Sequence, residues 1–353
     1  MHADDRIKHL ASRRMLYTGE GQAHAIADLR ANPDRLLPVI SGERARFDAS
    51  IMEQLVRAGG FYWAHPFGIK GVWYEPGKTI VALDHCAVMG NNEPRLMGDF
   101  TLRHLLPYLQ PDIEVSGVVG LRLGPIGGKG RKDLHLRQAG GPGHVVLRAS
   151  KKTNWGQILN SVERDTCEMG FRPLWKERSL TADEVAQEAQ MPLAVAIWND
   201  VAWIGSALMQ RINLFYSVST AYTTSSWVNG YRWIVEMEAL HVAGHPHNSF
   251  LKHLTSRDWG LDLRMVSSDC RCLNQDPARD SECRYEFGDA GNRRGILQLR
   301  FRRRRQRGQN HRAAYECVGA DKDWLDRILP PDREAQPGNV RRLAGLPMSE
   351  SGE

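Results

Sequence analysis

Leu297-Gln298-Leu299-Arg300-Phe301 runs directly into Arg302-Arg303-Arg304-Arg305, with Arg307 close behind. In an extended chain, successive side chains point to opposite faces. Leu297, Leu299 and Phe301 therefore share one face, and Gln298, Arg300 and Arg302 share the other. This is the pattern of a strand with one face on a core and one face open to solvent or to an anion. A second run repeats it. Tyr231, Trp233, Val235, Met237 and Ala239 alternate with Arg232, Ile234, Glu236 and Glu238. The same residues also fit one long helix starting at Ser226, and both readings stand at this point. Other strand-like segments lie at 213–223 and 261–267, and a helix is expected at about 248–256.

The first half of the chain offers a hairpin. Val72-Trp73-Tyr74-Glu75 is followed by Pro76-Gly77 and then by Lys78-Thr79-Ile80-Val81-Ala82-Leu83. Pro then Gly suits the two central positions of a type II turn. Strands are also expected within 112–123 and at 144–149, with a long Gly-rich basic loop from Gly124 to Gly143 between them. Ser50-Ile51-Met52-Glu53 reads as a capping box opening a helix that ends at Gly59-Gly60, and Thr181-Ala182-Asp183-Glu184 reads as another. A helix from Asn154 to Gly170 takes Thr153 or Asn154 as its cap.

Residues 192–222 are rich in apolar and aromatic residues, but Asn199-Asp200 and Gln210-Arg211-Ile212-Asn213 interrupt them. A buried core helix is expected there rather than a membrane span, which needs about 18 or more uncharged apolar residues. No internal repeat is visible, and residues 330–353 have the Pro, Gly and charge content of a disordered tail. The fold class is therefore α+β, with a helical pair at 1–35 followed by two mixed antiparallel-sheet lobes at 36–190 and 191–329.

The helical pair has its own signature. Ile7, Leu10, Ala11 and Met15 recur at helical spacing; Thr18-Gly19-Glu20-Gly21 breaks the run; Ala23, Ile26, Ala27 and Leu29 resume it. Thr18 is a plausible cap for the second helix. This helix–Thr-Gly-Glu–helix pattern resembles the helical half of ribbon-helix-helix antitoxins and the N-termini of many uncharacterised actinobacterial and mobile-element proteins. The resemblance implies DNA association. The family reads DNA with a strand that precedes the first helix, and only six residues precede Ile7 here.

Charge is unevenly distributed. The 353 residues hold 47 Lys+Arg against 41 Asp+Glu, a net charge of +6. Nine of the Arg lie between Gly291 and Arg312, where there is no acid; without them the count would be 38 against 41. The positive excess is thus local, and it invites a polyanion only there. The first residues carry no apolar h-region and six Cys in so long a chain make no disulfide framework, so a cytoplasmic location and no membrane are expected.

Four candidate sites follow. Cys270, Cys272 and Cys283 supply three soft ligands for a structural zinc, with Cys317, His311 or His253 as the fourth and Cys317 the first choice. Arg300, Arg302, Arg303, Arg304, Arg305 and Arg307, joined by Lys129, Arg131 and Lys132 of the Gly-rich loop, can offer their charge to phosphates. His241, His245 and His247, with Glu236 and Glu238 upstream, have the residue types of a catalytic metal or proton relay. Ten Trp can line a ligand pocket or simply fill the core. These give three expectations. The first is a nucleic-acid-associated protein, binding DNA with little sequence preference. The second is a metal-dependent hydrolase or nuclease. The third is a protein-interaction or ligand-sensing module with a Trp-rich pocket, working with a protein partner or as a homo-oligomer.

Overall fold

The computed structural model describes residues 3–33, 36–57, 61–89, 94–111, 114–124, 133–150, 153–240, 246–272, 281–304 and 311–329. It opens with the helical pair, α1 (Ala3–Thr18) and α2 (Gln22–Ala31). Ala11, Ala25 and Leu29 form a small core between them. The polar turn is held from inside, because buried Arg14 pairs with Glu20 and with Asp28. Thr18 does not cap α2. Its hydroxyl donates to the Arg14 carbonyl and so closes α1, while Gly21 occupies the cap position of α2. Gly19 sits at φ 72° against the backbone of Lys70 and Gly71, where any Cβ would clash. That close approach ties the pair to the first sheet. Tyr17 stacks on Trp259 at 5.7 Å and enters the main core.

The rest of the fold is built twice. The first unit begins with α3 (Gly42–Val56), then a hairpin of β1 (Ile69–Glu75) and β2 (Lys78–Leu83). After α4 (Met97–Leu105) comes a meander of β3 (Leu121–Leu123), β4 (Asp133–Gln138) and β5 (His144–Arg148), followed by α5 (Trp155–Glu168). A short helix, α6 (Ala182–Gln190), leads into the second unit. That unit begins with α7 (Pro192–Met209) and α8 (Leu214–Ser217), then a hairpin of β6 (Thr223–Asn229) and β7 (Arg232–Leu240). After α9 (Pro246–Leu254) comes a meander of β8 (Leu263–Asp269), β9 (Ser281–Asp289) and β10 (Ile296–Arg304). Helices α10 (His311–Cys317) and α11 (Lys322–Ile328) close it.

The two five-stranded sheets have the same topology. Their orders are β1-β2-β5-β4-β3 and β6-β7-β10-β9-β8. In each, the last strand returns to lie parallel to the second strand of the hairpin, and every other pairing is antiparallel. A duplication is therefore present in the topology although the sequence shows none. The first helices of the two units, α3 and α7, make the most extensive helix–helix packing in the molecule. One hydrophobic core, from Tyr17 to Phe301, runs through both units.

The alternation that opened the sequence reading is visible in the second sheet. Rows Trp233–Leu297–Phe287, Val235–Leu299–Tyr285 and Met237–Phe301–Cys283 line the core face. The chain from Arg232 to Leu240 is thus a strand, not a helix, because β10 beside it presents a matching apolar row. Gly205 of α7 leaves room for the Trp233 ring, which a Cβ there would strike.

Several expectations need correction. Strand β9 was not foreseen, since its Cys283 drew attention to metal spacing rather than to the alternation Cys283, Tyr285, Phe287. Strand β4 lies inside the stretch read as one loop from Gly124 to Gly143. Ser50 opens no helix: it lies within α3, and its hydroxyl bonds to the Arg46 carbonyl. The run at 213–223 is helix α8 and a loop before β6. By contrast, Thr181 and Glu184 form the expected capping box, and Asn154 caps α5. Helix α7 is only half a core helix. Val201, Ile204, Leu208 and Met209 are buried, whereas Pro192 to Ala196 are exposed. It is the one helix among the described residues long and apolar enough to cross a membrane. Its buried half, inside the shared core, accounts for much of that apolar character.

Candidate metal centre

At one end of the second sheet, four side chains converge: His247, Cys270, Cys272 and Cys283. Cys270 and Cys272 follow directly on β8, and Cys283 lies three residues into β9, so a β-hairpin brings the thiols together. Cys283 is on the core face, opposite Phe301. His247 comes from α9. It is the second residue of that helix, after Pro246. His247, Phe250 and Leu254 are spaced to share one helix face, and all three are buried. The imidazole sits edge-on to Tyr285 at 5.4 Å and to Phe301 at 5.6 Å.

All four ligand atoms lie within 4.8 Å of one another. The Sγ–Sγ distances are 3.0 Å (Cys272–Cys283) and 3.9 Å (Cys270–Cys283). His247 Nε2 is 3.1 Å from Cys272 Sγ and 3.6 Å from Cys270 Sγ. A tetrahedral zinc with ordinary bond lengths has S···S edges of about 3.8 Å and S···N edges of about 3.6 Å. The donor set, three thiols and one imidazole, is a standard one for that ion.

The surroundings favour a thiolate at Cys270 only. The Tyr285 hydroxyl and the backbone N–H of Cys272 hydrogen-bond to Cys270, and the backbone N–H of Arg271 bonds to Cys283. Burial works against ionisation of Cys270, yet these bonds outweigh it and hold its thiol below the usual range. Burial pushes the Cys272 and Cys283 thiols up, with the neighbouring sulfurs adding to the effect at Cys272. A cation at the centre reverses that preference, because a coordinated thiol loses its proton. Burial, then the bond to Cys270, raises the Tyr285 phenol as well, so it remains a donor.

The fourth member of the cluster is therefore His247, not Cys317. Cys317 lies on α10, close enough to Cys86 to raise that thiol's pKa after burial has done so. His253 and His311 are engaged elsewhere, with Tyr17 at 3.5 Å and Tyr62 at 3.0 Å. The helical spacing His247–Phe250–Leu254 was the available signal. It was obscured because His247 was grouped with His241 and His245, which lie outside the described residues.

The Arg strand meets glutamates. On the face away from the core, Arg302 contacts Glu236 at 2.7 Å and Glu282 at 2.9 Å. Arg304 pairs with Glu238 at 2.9 Å, and Arg300 with Glu236 at 3.9 Å. Strands β7, β10 and β9 thus carry alternating columns of acid, base and acid. Glu236 and Glu238 serve this ladder and do not join His247 in a catalytic cleft. Arg303 lies on the opposite side of β10, in register with Ala239 and Ser281. Arg305, Arg307, Lys129, Arg131 and Lys132 lie outside the described residues. Seven of the ten Trp are buried, and Trp63, Trp155, Trp175, Trp233 and Trp259 belong to the main core. Their role is packing.

Comparison with protein-family models, with curated proteins and with solved structures finds no match to this chain.

Proposed function

We propose that the protein is a zinc-braced binding protein in which His247, Cys270, Cys272 and Cys283 hold one structural zinc. The observation that carries this reading is the convergence of three sulfurs and one imidazole nitrogen within 4.8 Å of one another, with the Cys270 contacts at tetrahedral edge lengths (3.9 and 3.6 Å) and the Cys272 contacts shorter (3.0 and 3.1 Å). Four protein ligands close the coordination sphere. A catalytic zinc keeps a position open for water or substrate, so the centre suits bracing rather than hydrolysis. When bound, the ion supplies folding energy by joining the start of α9 to the β8–β9 hairpin. The described part of the Arg strand is matched by glutamates, which argues against a free cationic stripe for nucleic acid there.

The test is metal content by mass spectrometry on protein purified without added metal. One zinc per chain is expected in the wild type and in Cys317→Ser, and none in Cys283→Ser or His247→Ala. Zinc retained by both of the last two variants, or a wild type without metal, would overturn the reading.

A further inference from the structure

The opposite end of the same sheet carries a second candidate site. The β9–β10 turn, the start of β7 and the edge strand β8 line an open groove of about 430 Å³. That is within the range of about 300–1,000 Å³ typical of small-molecule sites. Arg264, Arg293 and Arg294 line it, with Tyr231, Val266 and Asn292. Register explains the assembly. Arg264 lies opposite Gly288, Gly288 lies opposite Ile296, and the Ile296 N–H bonds to the Tyr231 carbonyl at 2.8 Å. Gly288 has no side chain, which leaves the middle of the groove clear.

The charges in this groove do not cancel. Its one carboxylate, Asp289, is occupied by the Arg293 guanidinium at 2.6 Å and the Arg293 N–H at 2.9 Å. Arg293 also lies over the Trp203 ring at 4.2 Å, and the Trp203 indole donates to the Arg294 carbonyl at 2.7 Å. The turn is thus fixed from beneath. Arg294 is 81% exposed and reaches Asp200 only at 3.9 Å, the same length as the Arg300–Glu236 contact. Arg264 forms no ion pair with any described residue. One guanidinium with no ion pair among the described residues, Arg264, and one held only by a long, exposed contact, Arg294, are therefore available to a ligand. Beside them, Tyr231 and Val266 are about half exposed and offer an aromatic and an apolar wall.

We propose that this groove binds a phosphate monoester carried on a small flat molecule, such as a nucleoside monophosphate. A doubly charged phosphate matches the two available guanidinium groups, whose planar forks suit its oxygens. The group it is attached to rests on Tyr231. This explains why the Arg-rich stretch divides into two parts. Arg300, Arg302 and Arg304 of β10 have glutamate partners, whereas in the turn before it Arg293 is tied to Asp289 and Arg294 has only its long contact with Asp200. The proposal does not depend on the metal.

Calorimetric titration of the full chain in 150 mM salt tests it, with adenosine monophosphate, inorganic phosphate and a single-stranded oligonucleotide as separate probes. One-site binding of the monophosphate is expected, weakened about tenfold or more in Arg264→Ala and in Arg294→Ala. Both residues are exposed, and unchanged circular dichroism and zinc content would show that folding is intact. Arg164→Ala, on exposed α5, is expected to leave binding unchanged. Equal affinity for inorganic phosphate would overturn the assignment of the organic group. Preference for the oligonucleotide, or binding that survives both variants, would overturn the site.

Discussion

Stripping the metal should lower the melting temperature of the whole fold, not merely loosen one loop. The reason lies in how the ligands are mounted. Cys283 shares the core face with Phe301, and His247 shares a helix face with Phe250 and Leu254. Releasing the ligands therefore relaxes the contact between α9 and the second sheet. A ligand present at about a thousand times its dissociation constant stabilises the native state by about 4 kcal/mol. Unfolding entropy of about 2.1 cal/mol/K per residue gives roughly 0.7 kcal/mol/K for a chain of this length. Chelation should then lower Tm by about 5–6 °C. Scanning calorimetry with and without a strong chelator measures it. Cys283→Ala should begin at the lower Tm and ignore the chelator, and Cys317→Ala should follow the wild type. A zinc-loaded wild type whose Tm is indifferent to chelation would refute the bracing argument. A Cys317→Ala variant that no longer responds would refute the ligand assignment.

Three further outcomes are expected. Asp48 is fully buried, and burial raises its carboxyl from 3.8 to about 6 despite Arg44 and the Thr79 hydroxyl. The native state then holds a proton that the unfolded state has released, so stability falls as pH rises through that window. Relative to Asp48→Asn, the wild type should lose about 2 kcal/mol between pH 4 and 6.5 in urea titrations, and parallel pH curves would contradict the assignment. Arg302→Ala should cost about 1–2 kcal/mol, because it leaves Glu236 and Glu282 facing one another without their shared cation. Adding Glu236→Gln should recover part of that loss, and strict additivity would show the ladder to be uncoupled. Mild peroxide should join Cys272 and Cys283, whose sulfurs are 3.0 Å apart, and release zinc. Peptide mapping and a zinc-sensitive dye would report both events, and zinc release without that disulfide would point to another pair.

Much of the second sheet was legible in the sequence, for a clear physical reason. Strand β10 has one buried face and one polar face, so its alternation is written directly in the residue types. Strand β7 was ambiguous alone, because Ile234 interrupts its polar face and the whole run also suits a helix. Only pairing with β10 decides it. The short strand β3 lies at the end of the expected 112–123 strand, whereas the loop-embedded β4 is obscured by the glycine and charge around it. Three of the four metal ligands were legible, since thiols in a polar stretch stand out. The fourth was not, because His247 reaches the hairpin from a helix, and no linear spacing encodes a helix meeting a sheet. The duplication was equally hidden: hydrogen-bond order repeats where residue identity does not.

That duplication bears on the origin of the molecule. Each unit's opening helix is sealed partly by its own sheet and partly by the matching helix of the other unit. A single unit alone would leave an apolar stripe uncovered, so its simplest stable ancestor is a symmetric pair of identical chains. Fusion into one polypeptide frees the halves from having to change together. The second copy has placed His247 at the start of its α9 and thiols on its hairpin, while the first has Met97 and Gly98 where α4 begins. Asymmetry of that kind is open to a fused chain and closed to a homodimer, in which every new ligand would appear twice.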